Sequence, residues 1–263
     1  MRTIEEIRQE LHNGSVASGA GVFRVSHGMV NSYLVGRPDT GEWVLVDSGL
    51  TPFSGRKIIR HAEEIFGPGN KPAGIILTHG HFDHVGAVKA LARFWQVPVY
   101  AHALELPYLT GLSAYPPPDP TVGGGGMARM AGLYPRKPID LREYIDALPE
   151  DHTIPGLPEW RWVPTPGHTP GHISLWNEKD RTLIAGDAFV TVRQESAWAV
   201  VTQAPEVWRP PAYFTCDWVA ARESVRLLAS LEPEYAATGH GVPMSGAGLR
   251  ADLHRLALEF DRI

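Results

Sequence analysis

Cysteine and long apolar runs are scarce in this chain of 263 residues. Cys216 is the single cysteine, so an internal disulfide is excluded, which agrees with a reducing compartment. No apolar run approaches the roughly 18 residues that cross a bilayer. Acidic residues in "MRTIEEIRQELHNG" interrupt the apolar core that a signal peptide needs. We therefore expect a cytoplasmic protein that spans no membrane.

An excess of positive charge is also lacking. The chain has 24 Lys and Arg against 29 Asp and Glu, a formal net charge of −5 with neutral histidine. Such a chain has no broad positive field of the kind that attracts nucleic acid or an anionic membrane surface. We expect neither as a partner. A small-molecule substrate fits better, and a homodimer is compatible with the sequence.

Short apolar stretches rich in Val, Ile, Leu and aromatic residues predict β-strands. They occupy residues 30–36, 42–49, 74–80, 97–102, 161–168, 172–177, 182–187 and 235–240. Several of them run directly into Gly, His or Asp. Side chains capable of catalysis or metal binding would therefore lie where strands end and loops begin.

Apolar residues at helical spacing predict four helices, and Asp217 is a suitable N-cap for the third. The helices cover residues 55–66, 84–95, 217–231 and 247–261. Strands dominate each half of the chain, with helices between and after them. This pattern indicates an α/β protein with layered sheets rather than separate all-β and all-α domains. We expect a single domain over residues 1–263.

Residues 105–138 differ from the rest of the chain, because they combine a proline cluster, four consecutive glycines and three tyrosines. No single regular element accommodates that composition. Unstructured segments of this length are usually functional or disordered. The Tyr, Met and Leu content favours a lid or pocket wall, with a mobile surface insertion as the alternative.

The stretch "THGHFDH" at residues 78–84 concentrates metal-binding side chains in one turn. His79 and His81 can project the same way from an extended backbone and share one metal ion. Asp83 and His84 point elsewhere and can serve a second ion beside it. Imidazole and carboxylate ligands suit zinc, iron or manganese. Further candidate ligands follow apolar runs next to glycine, and these are His168, Asp187 and His240.

The ordered ligand set resembles that of the metallo-β-lactamase-fold hydrolase superfamily, on its glyoxalase II and lactonase side. The similarity extends from "NSYLV" at 31–35 to "GHG" at 239–241. It implies a four-layer αβ/βα sandwich with two metal ions at one edge. Zinc is the expected metal, and iron or manganese also fits these ligands.

The resemblance also implies a role for each side chain. One ion would be held by His79, His81 and His168, the other by Asp83, His84 and His240, with Asp187 bridging both. Asp47, in "VLVDSG", matches a position that orients the ligand loop from behind. His172 matches a histidine that lies outside the ligand set.

The implied activity is that of a binuclear metal-dependent hydrolase, in which a hydroxide that bridges the metals attacks the substrate. Asp83 is the candidate catalytic residue, because its carboxylate can pass a proton to the leaving group. Asp187 argues against a true β-lactamase, which lacks this bridging aspartate. We expect a small or medium ester, thioester or lactone as substrate. Two alternatives stay open: a persulfide dioxygenase of the same fold with a single iron, and a non-catalytic metal-binding protein.

Candidate substrate contacts come from two segments. Tyr115 lies in the 105–138 segment, and Arg193 could meet a substrate carboxylate or phosphate, or lie on the surface. The aromatic residues after Asp187 would line an apolar acyl pocket or fill the core, and these are Trp198, Trp208, Tyr213 and Phe214.

Overall fold

Two β-sheets face each other in the computed structural model, which describes residues 21–119, 121–122, 129–135 and 138–261. The first sheet has the order β1-β2-β3-β4-β5-β6. Its strands are Val22–Ser26, Asn31–Arg37, Glu42–Val46, Ile75–Ile76, Val99–Ala101 and Ile145–Ala147. The second sheet has the order β11-β10-β9-β8-β7. Its strands, from β7 to β11, are Arg161–Pro164, Ile173–Asn177, Thr182–Gly186, Tyr235–Thr238 and Met244–Ser245.

Six α-helices accompany the sheets in the described residues. From α1 to α6 they are Pro52–Phe66, Val88–Trp95, Leu106–Leu109, Ala197–Thr202, Trp218–Ser230 and Gly246–Glu259. Short 3-10 helices lie at Ala103–Glu105, Ala131–Leu133 and Ala212–Phe214. None of the helices in this part of the chain combines the length and the hydropathy needed to cross a bilayer.

The layering follows from side-chain alternation along buried strands. In β3, Trp43 and Leu45 join the core beneath helices α1 and α2, whereas Val44 and Val46 join the core between the two sheets. Successive side chains of a strand point to opposite faces, so a strand covered on both faces is apolar throughout. A third core joins the outer face of the second sheet to α5 and α6. The predicted four-layer αβ/βα sandwich is confirmed.

The predicted strands and long helices are present, with boundary shifts that have physical causes. Helix α2 begins at Val88 rather than at residue 84, because residues 82–87 form turns. The N-cap of α5 is as expected, since Asp217 accepts hydrogen bonds from two backbone N–H groups of the first turn. Strands β1, β6 and β11 were not predicted.

In its described part, the 105–138 segment begins at the last residue of the 3-10 helix Ala103–Glu105 and contains α3 and the 3-10 helix Ala131–Leu133. The prediction of a lid over its whole length also includes residues 120, 123–128 and 136–137, which lie outside the described residues, as does the N-terminal stretch 1–20.

Candidate metal centre

The candidate ligands meet at one edge of the sandwich because the strands that precede them run in parallel. Strand β3 pairs in parallel with β4, and β9 pairs in parallel with β10. Carboxyl ends of parallel neighbours lie at the same edge of a sheet. The loops after β4, β9 and β10 therefore bring His79, Asp187 and His240 together, and the loop between β7 and β8 adds His168.

Three histidines form the first group. His79, His81 and His168 each offer a ring nitrogen, and these atoms lie within 4.8 Å of one another. Nδ1 of His81 is 2.9 Å from Nε2 of His168. On His79, Nδ1 is 3.0 Å from Oγ1 of Thr78, whereas the buried Nε2 has no hydrogen-bond partner. One nitrogen of each ring therefore points to a common position that a shared ligand could occupy.

The second group consists of Asp83, His84 and His240, whose ligand atoms also lie within 4.8 Å. Oδ2 of Asp83 is 3.5 Å from Nε2 of His240 and 4.0 Å from Nε2 of His84. Nδ1 of His240 donates to the carbonyl oxygen of Met29 at 2.6 Å, so its Nε2 faces the carboxylates.

Asp187 lies between the two groups. Its Oδ2 is 3.1 Å from Nε2 of His240 and 3.6 Å from Nε2 of both His84 and His168. The buried Oδ1 has no hydrogen-bond partner. One carboxylate thus reaches a histidine of the first group and two of the second.

Asp47 lies behind His84. Its Oδ2 accepts hydrogen bonds from Nδ1 of His84 at 2.8 Å and from Oγ1 of Thr78 at 2.8 Å, while Oδ1 accepts from the Thr78 backbone N–H at 2.9 Å. The bond to Nδ1 directs Nε2 of His84 towards the carboxylates. A carboxylate in such a contact fixes the orientation of a ligand ring.

His172 uses both ring nitrogens in contacts outside the ligand groups. Its Nε2 accepts the backbone N–H of Asp187 at 2.9 Å, and its Nδ1 therefore donates to Oγ1 of Thr165 at 2.9 Å. Burial lowers the pKa of His172 to about 4, so the ring is neutral, as these bonds require. His172 holds the loop of Asp187 and has no nitrogen left for a metal ion.

Burial governs the protonation of the first group. It lowers the pKa of His79 and His168 well below the ordinary value and that of His81 to about 3. Burial is the largest influence and would lower the pKa of His84 and His240, but the neighbouring carboxylates, with Asp187 the strongest, together outweigh it, so that both pKa values are raised. At neutral pH the first group is neutral imidazole, the form that ligates metals.

The donor set fits divalent metal ions. Nε2 of His79, Nε2 of His84 and Oδ1 of Asp187 are all buried without a hydrogen-bond partner. Unpaired buried polar atoms are costly, by about 1–3 kcal/mol each, unless a ligand satisfies them. Coordination to a cation would satisfy these atoms and would also replace the protons attracted to His84 and His240.

An apolar cavity of about 350 Å³ opens over the metal-binding side chains. Its wall includes the ligands His81, Asp83, His168, Asp187 and His240. The remaining lining is mainly aromatic and aliphatic, and consists of Met29, Val30, Leu50, Thr51, Phe82, Tyr134, Pro135, Gln194, Pro211, Tyr213 and Phe214. Among the described lining residues there is no lysine or arginine.

Four predicted substrate contacts lie outside this wall. Tyr115 packs behind His81, with ring centroids 4.6 Å apart, and its hydroxyl bonds to the buried Glu105. The exposed Arg193 lies over the ring of Trp208 at 4.6 Å. Nε1 of Trp208 donates to Oε2 of Glu195 at 3.0 Å, and Trp198 is 71% exposed. The structure gives these side chains packing or surface roles instead of contact with the cavity.

Sequence reasoning missed other residues of the site. Tyr134, Phe82 and Gln194 line the cavity, and Glu105 lies between the ligand loops. For Tyr213 and Phe214 the sequence left open an acyl pocket or the core, and the structure places both in the cavity wall. Phe82 lies within the 78–84 motif itself, but its type does not mark it as a lining residue, and the others reach the site from segments outside that motif.

Comparison with known proteins identifies a matching family and similar proteins. The family model of the metallo-beta-lactamase superfamily matches residues 25–240. Probable metallo-hydrolase YflN of Bacillus subtilis (strain 168) is 47% identical over 250 residues, 92% of this chain and 94% of that protein. Probable metallo-hydrolase YybB of the same strain is 32% identical over 204 residues, 77% of each chain. The crystal structure of TTHA1623 in a di-iron-bound form has a TM-score of 0.59 and 26% identity, and covers 88% of this chain and 96% of that one.

Proposed function

The chain belongs to the metallo-beta-lactamase superfamily, and on that premise we propose that it is a two-metal hydrolase of small or medium esters, thioesters or lactones. The observation that carries the proposal is the meeting of two ligand groups at Asp187, in the wall of an apolar cavity. The names of YflN and YybB support a metallo-hydrolase at the coarser level.

The residues would divide between two ions. His79, His81 and His168 would hold the first and Asp83, His84 and His240 the second, with Asp187 shared. A divalent metal pair bound there would polarise the substrate's carbonyl oxygen and supply a nucleophilic water at neutral pH. Zinc is the metal we propose from the imidazole and carboxylate set, and the same donors accept iron.

The protein's own side chains would bind and orient the substrate. Tyr134, Tyr213 and Phe214 line the cavity and would exclude water from the acyl group. Exclusion of water strengthens each electrostatic contact at the reacting carbonyl.

Asp83 would transfer a proton to the leaving group. Its side chain is 17% exposed and lies in the cavity wall, within reach of both the ligands and a bound substrate. A carboxylate in this position can hold a proton and release it to the departing oxygen or sulfur atom.

The charge of the cavity indicates which acyl groups fit. A substrate carboxylate or phosphate in the part of the pocket away from the metal ions would find no lysine or arginine among the described lining residues. Burying an unpaired charge is strongly unfavourable. The acyl group should therefore be uncharged and apolar, with the polar leaving group towards the opening.

The test is purification without added metal, elemental analysis, and a substrate panel on the same sample. The panel contains neutral esters, thioesters and lactones of increasing acyl length, together with carboxylated and phosphorylated analogues. We expect about two metal ions per chain, turnover of the neutral members, and loss of both metal and turnover in Asp187→Ala.

Two results would overturn the proposal. One iron per chain with oxygen uptake on glutathione persulfide would establish a dioxygenase instead. Two bound ions without turnover of any member would indicate a metal-binding protein that is not a hydrolase.

A further inference from the structure

The Glu105 carboxylate is fully buried and accepts four hydrogen bonds. Its Oε1 accepts from Oγ1 of Thr169 at 2.8 Å and from the Gly171 backbone N–H at 2.8 Å. Its Oε2 accepts from the Gly80 backbone N–H at 3.0 Å and from the hydroxyl of Tyr115. A buried carboxylate needs this degree of satisfaction to remain in the core.

Three of the four donors belong to the two loops that carry the first group of histidines. Gly80 lies between His79 and His81, and Thr169 follows His168 directly. The two oxygens of Glu105 therefore connect the first loop to the second. The distance between His81 and His168, whose ring nitrogens are 2.9 Å apart, depends on that connection.

Two glycines make room for this contact. A Cβ atom on Gly171 would lie 2.9 Å from Cγ and 2.9 Å from the backbone nitrogen of Glu105. A Cβ atom on Gly80 would lie 2.6 Å from the hydroxyl oxygen of Tyr115. Contacts this short are not tolerated, so both ligand loops are shaped to approach Glu105 and its neighbour.

Tyr115 completes the arrangement from the other side. Its hydroxyl donates to Glu105 and accepts the Gly80 N–H at 2.9 Å. Its ring packs 4.6 Å from His81 and stacks on Tyr108 at 4.0 Å. The hydroxyl and the ring together limit the movement of His81.

We propose that Glu105, supported by Tyr115, is a positioning residue that sets the geometry and affinity of the three-histidine site without touching the metal ion. The inference rests on the two-metal function proposed above. A carboxylate behind the ligands is a known determinant of metal affinity when it holds a ligand ring. Glu105 acts instead on the backbone of two ligand loops at once.

The test compares Glu105→Gln and Tyr115→Phe with the wild-type protein. The glutamine keeps the shape but replaces one acceptor oxygen by an NH₂ group, which faces N–H or O–H donors on either side. We expect the first ion to bind about 10- to 100-fold more weakly in Glu105→Gln, with the second ion unaffected and a smaller loss in Tyr115→Phe. Zinc competition titrations measure affinity, and visible absorption of cobalt(II)-loaded protein reports the geometry of the site.

Glu195→Gln is the matched control. Glu195 is also a buried carboxylate, but it accepts from Nε1 of Trp208 at 3.0 Å and from the Ala212 N–H at 3.3 Å, outside the ligand loops. We expect this control to lose thermal stability and to keep the cobalt spectrum.

The outcomes separate this inference from the proposed function. Wild-type protein that binds no divalent ion would overturn the two-metal function, and the inference with it. If the wild-type protein binds two ions, and Glu105→Gln or Tyr115→Phe keeps its affinity for the first ion and its cobalt spectrum, then only the positioning role is overturned. If Glu105→Gln does not fold, the same measurements on Tyr115→Phe decide.

Discussion

Asp47→Asn should weaken the binding of the second metal ion. Asp47 is 3% exposed and has a φ of 57°, a left-handed conformation that asparagine also adopts readily. The substitution therefore changes the hydrogen bonding and the charge with little change in shape or backbone strain. His84 loses its charged acceptor, and so does the hydroxyl of Thr78, which donates to the same oxygen.

The magnitude follows from the contacts of the carboxylate. Both oxygens of Asp47 accept from N–H or O–H donors. An NH₂ group on either side would leave at least one buried donor unpaired, at a cost of about 1–3 kcal/mol. At about 1.4 kcal/mol per tenfold change, that cost corresponds to a weakening of roughly 5- to 150-fold. The range agrees with the about 10- to 100-fold typical of residues that orient metal ligands.

Competition titration with a chromophoric chelator measures the two dissociation constants. Thr78→Val is the informative companion, because it removes the hydroxyl next to Nδ1 of His79 and leaves the bond between Asp47 and His84. We expect Asp47→Asn to act mainly on the second ion and Thr78→Val on the first. A folded Asp47→Asn protein with wild-type affinity for the second ion would refute the reasoning.

Further predictions concern the site loops and the stability of the fold. Gly239→Ala should abolish metal binding, because its Cβ atom would lie 2.0 Å from Oδ1 of Asp187, and elemental analysis showing two retained ions would contradict this. Asp217→Ala should cost about 1 kcal/mol in urea unfolding, since the N-cap of α5 is lost, while metal content stays the same. Burial lowers the pKa of His27 from 6.5 to about 4, so the unfolded chain takes up the proton first and stability falls as the pH drops through that window. His27→Gln should flatten this part of the pH profile, and an unchanged profile would show that other groups cause it. Removing metal with a chelator should lower the melting temperature, because ions at about 100 times their dissociation constant stabilise the fold by about 2.7 kcal/mol per site.

The fold was largely predictable because its central strands are covered on both faces. The segment 42–49 is apolar at four successive positions, and the structure buries Trp43 and Val44 in different cores. Short edge strands lack that signal. Strand β11 has two residues, and β6 has one half-buried and two exposed side chains, so neither has a recognisable pattern.

The candidate ligands were predictable for a different reason. His79, His81, Asp83 and His84 are close in sequence, and Asp47 follows a strongly apolar strand. Glu105 offered no such signal, since it lies in an irregular segment of mixed composition. Its partners Gly80 and Gly171 are 25 and 66 residues away, so only the folded chain shows that they meet.

Metal binding and substrate choice should therefore respond to separate sets of side chains. The ligand loops are rich in Gly and Pro and come from two sheets, so the loops alone do not determine their spacing. Two buried carboxylates outside the ligand set hold them: Asp47 fixes His84, and Glu105 joins the loop of residues 78–84 to the loop that carries His168. Tyr213 and Phe214 line the cavity and make none of those carboxylate contacts in the described structure. Changes at Asp47 or Glu105 should alter metal affinity across all substrates alike, whereas changes at Tyr213 should alter the preferred acyl length at constant metal affinity. Phe214 also packs 4.9 Å from the ring of His81, so changes there should affect both properties. Because Tyr213 shares no hydrogen bond with Asp47 or Glu105 among the described residues, the effects of combined substitutions at these positions should add, whereas Phe214 and Tyr115, which both pack on His81, should show coupling.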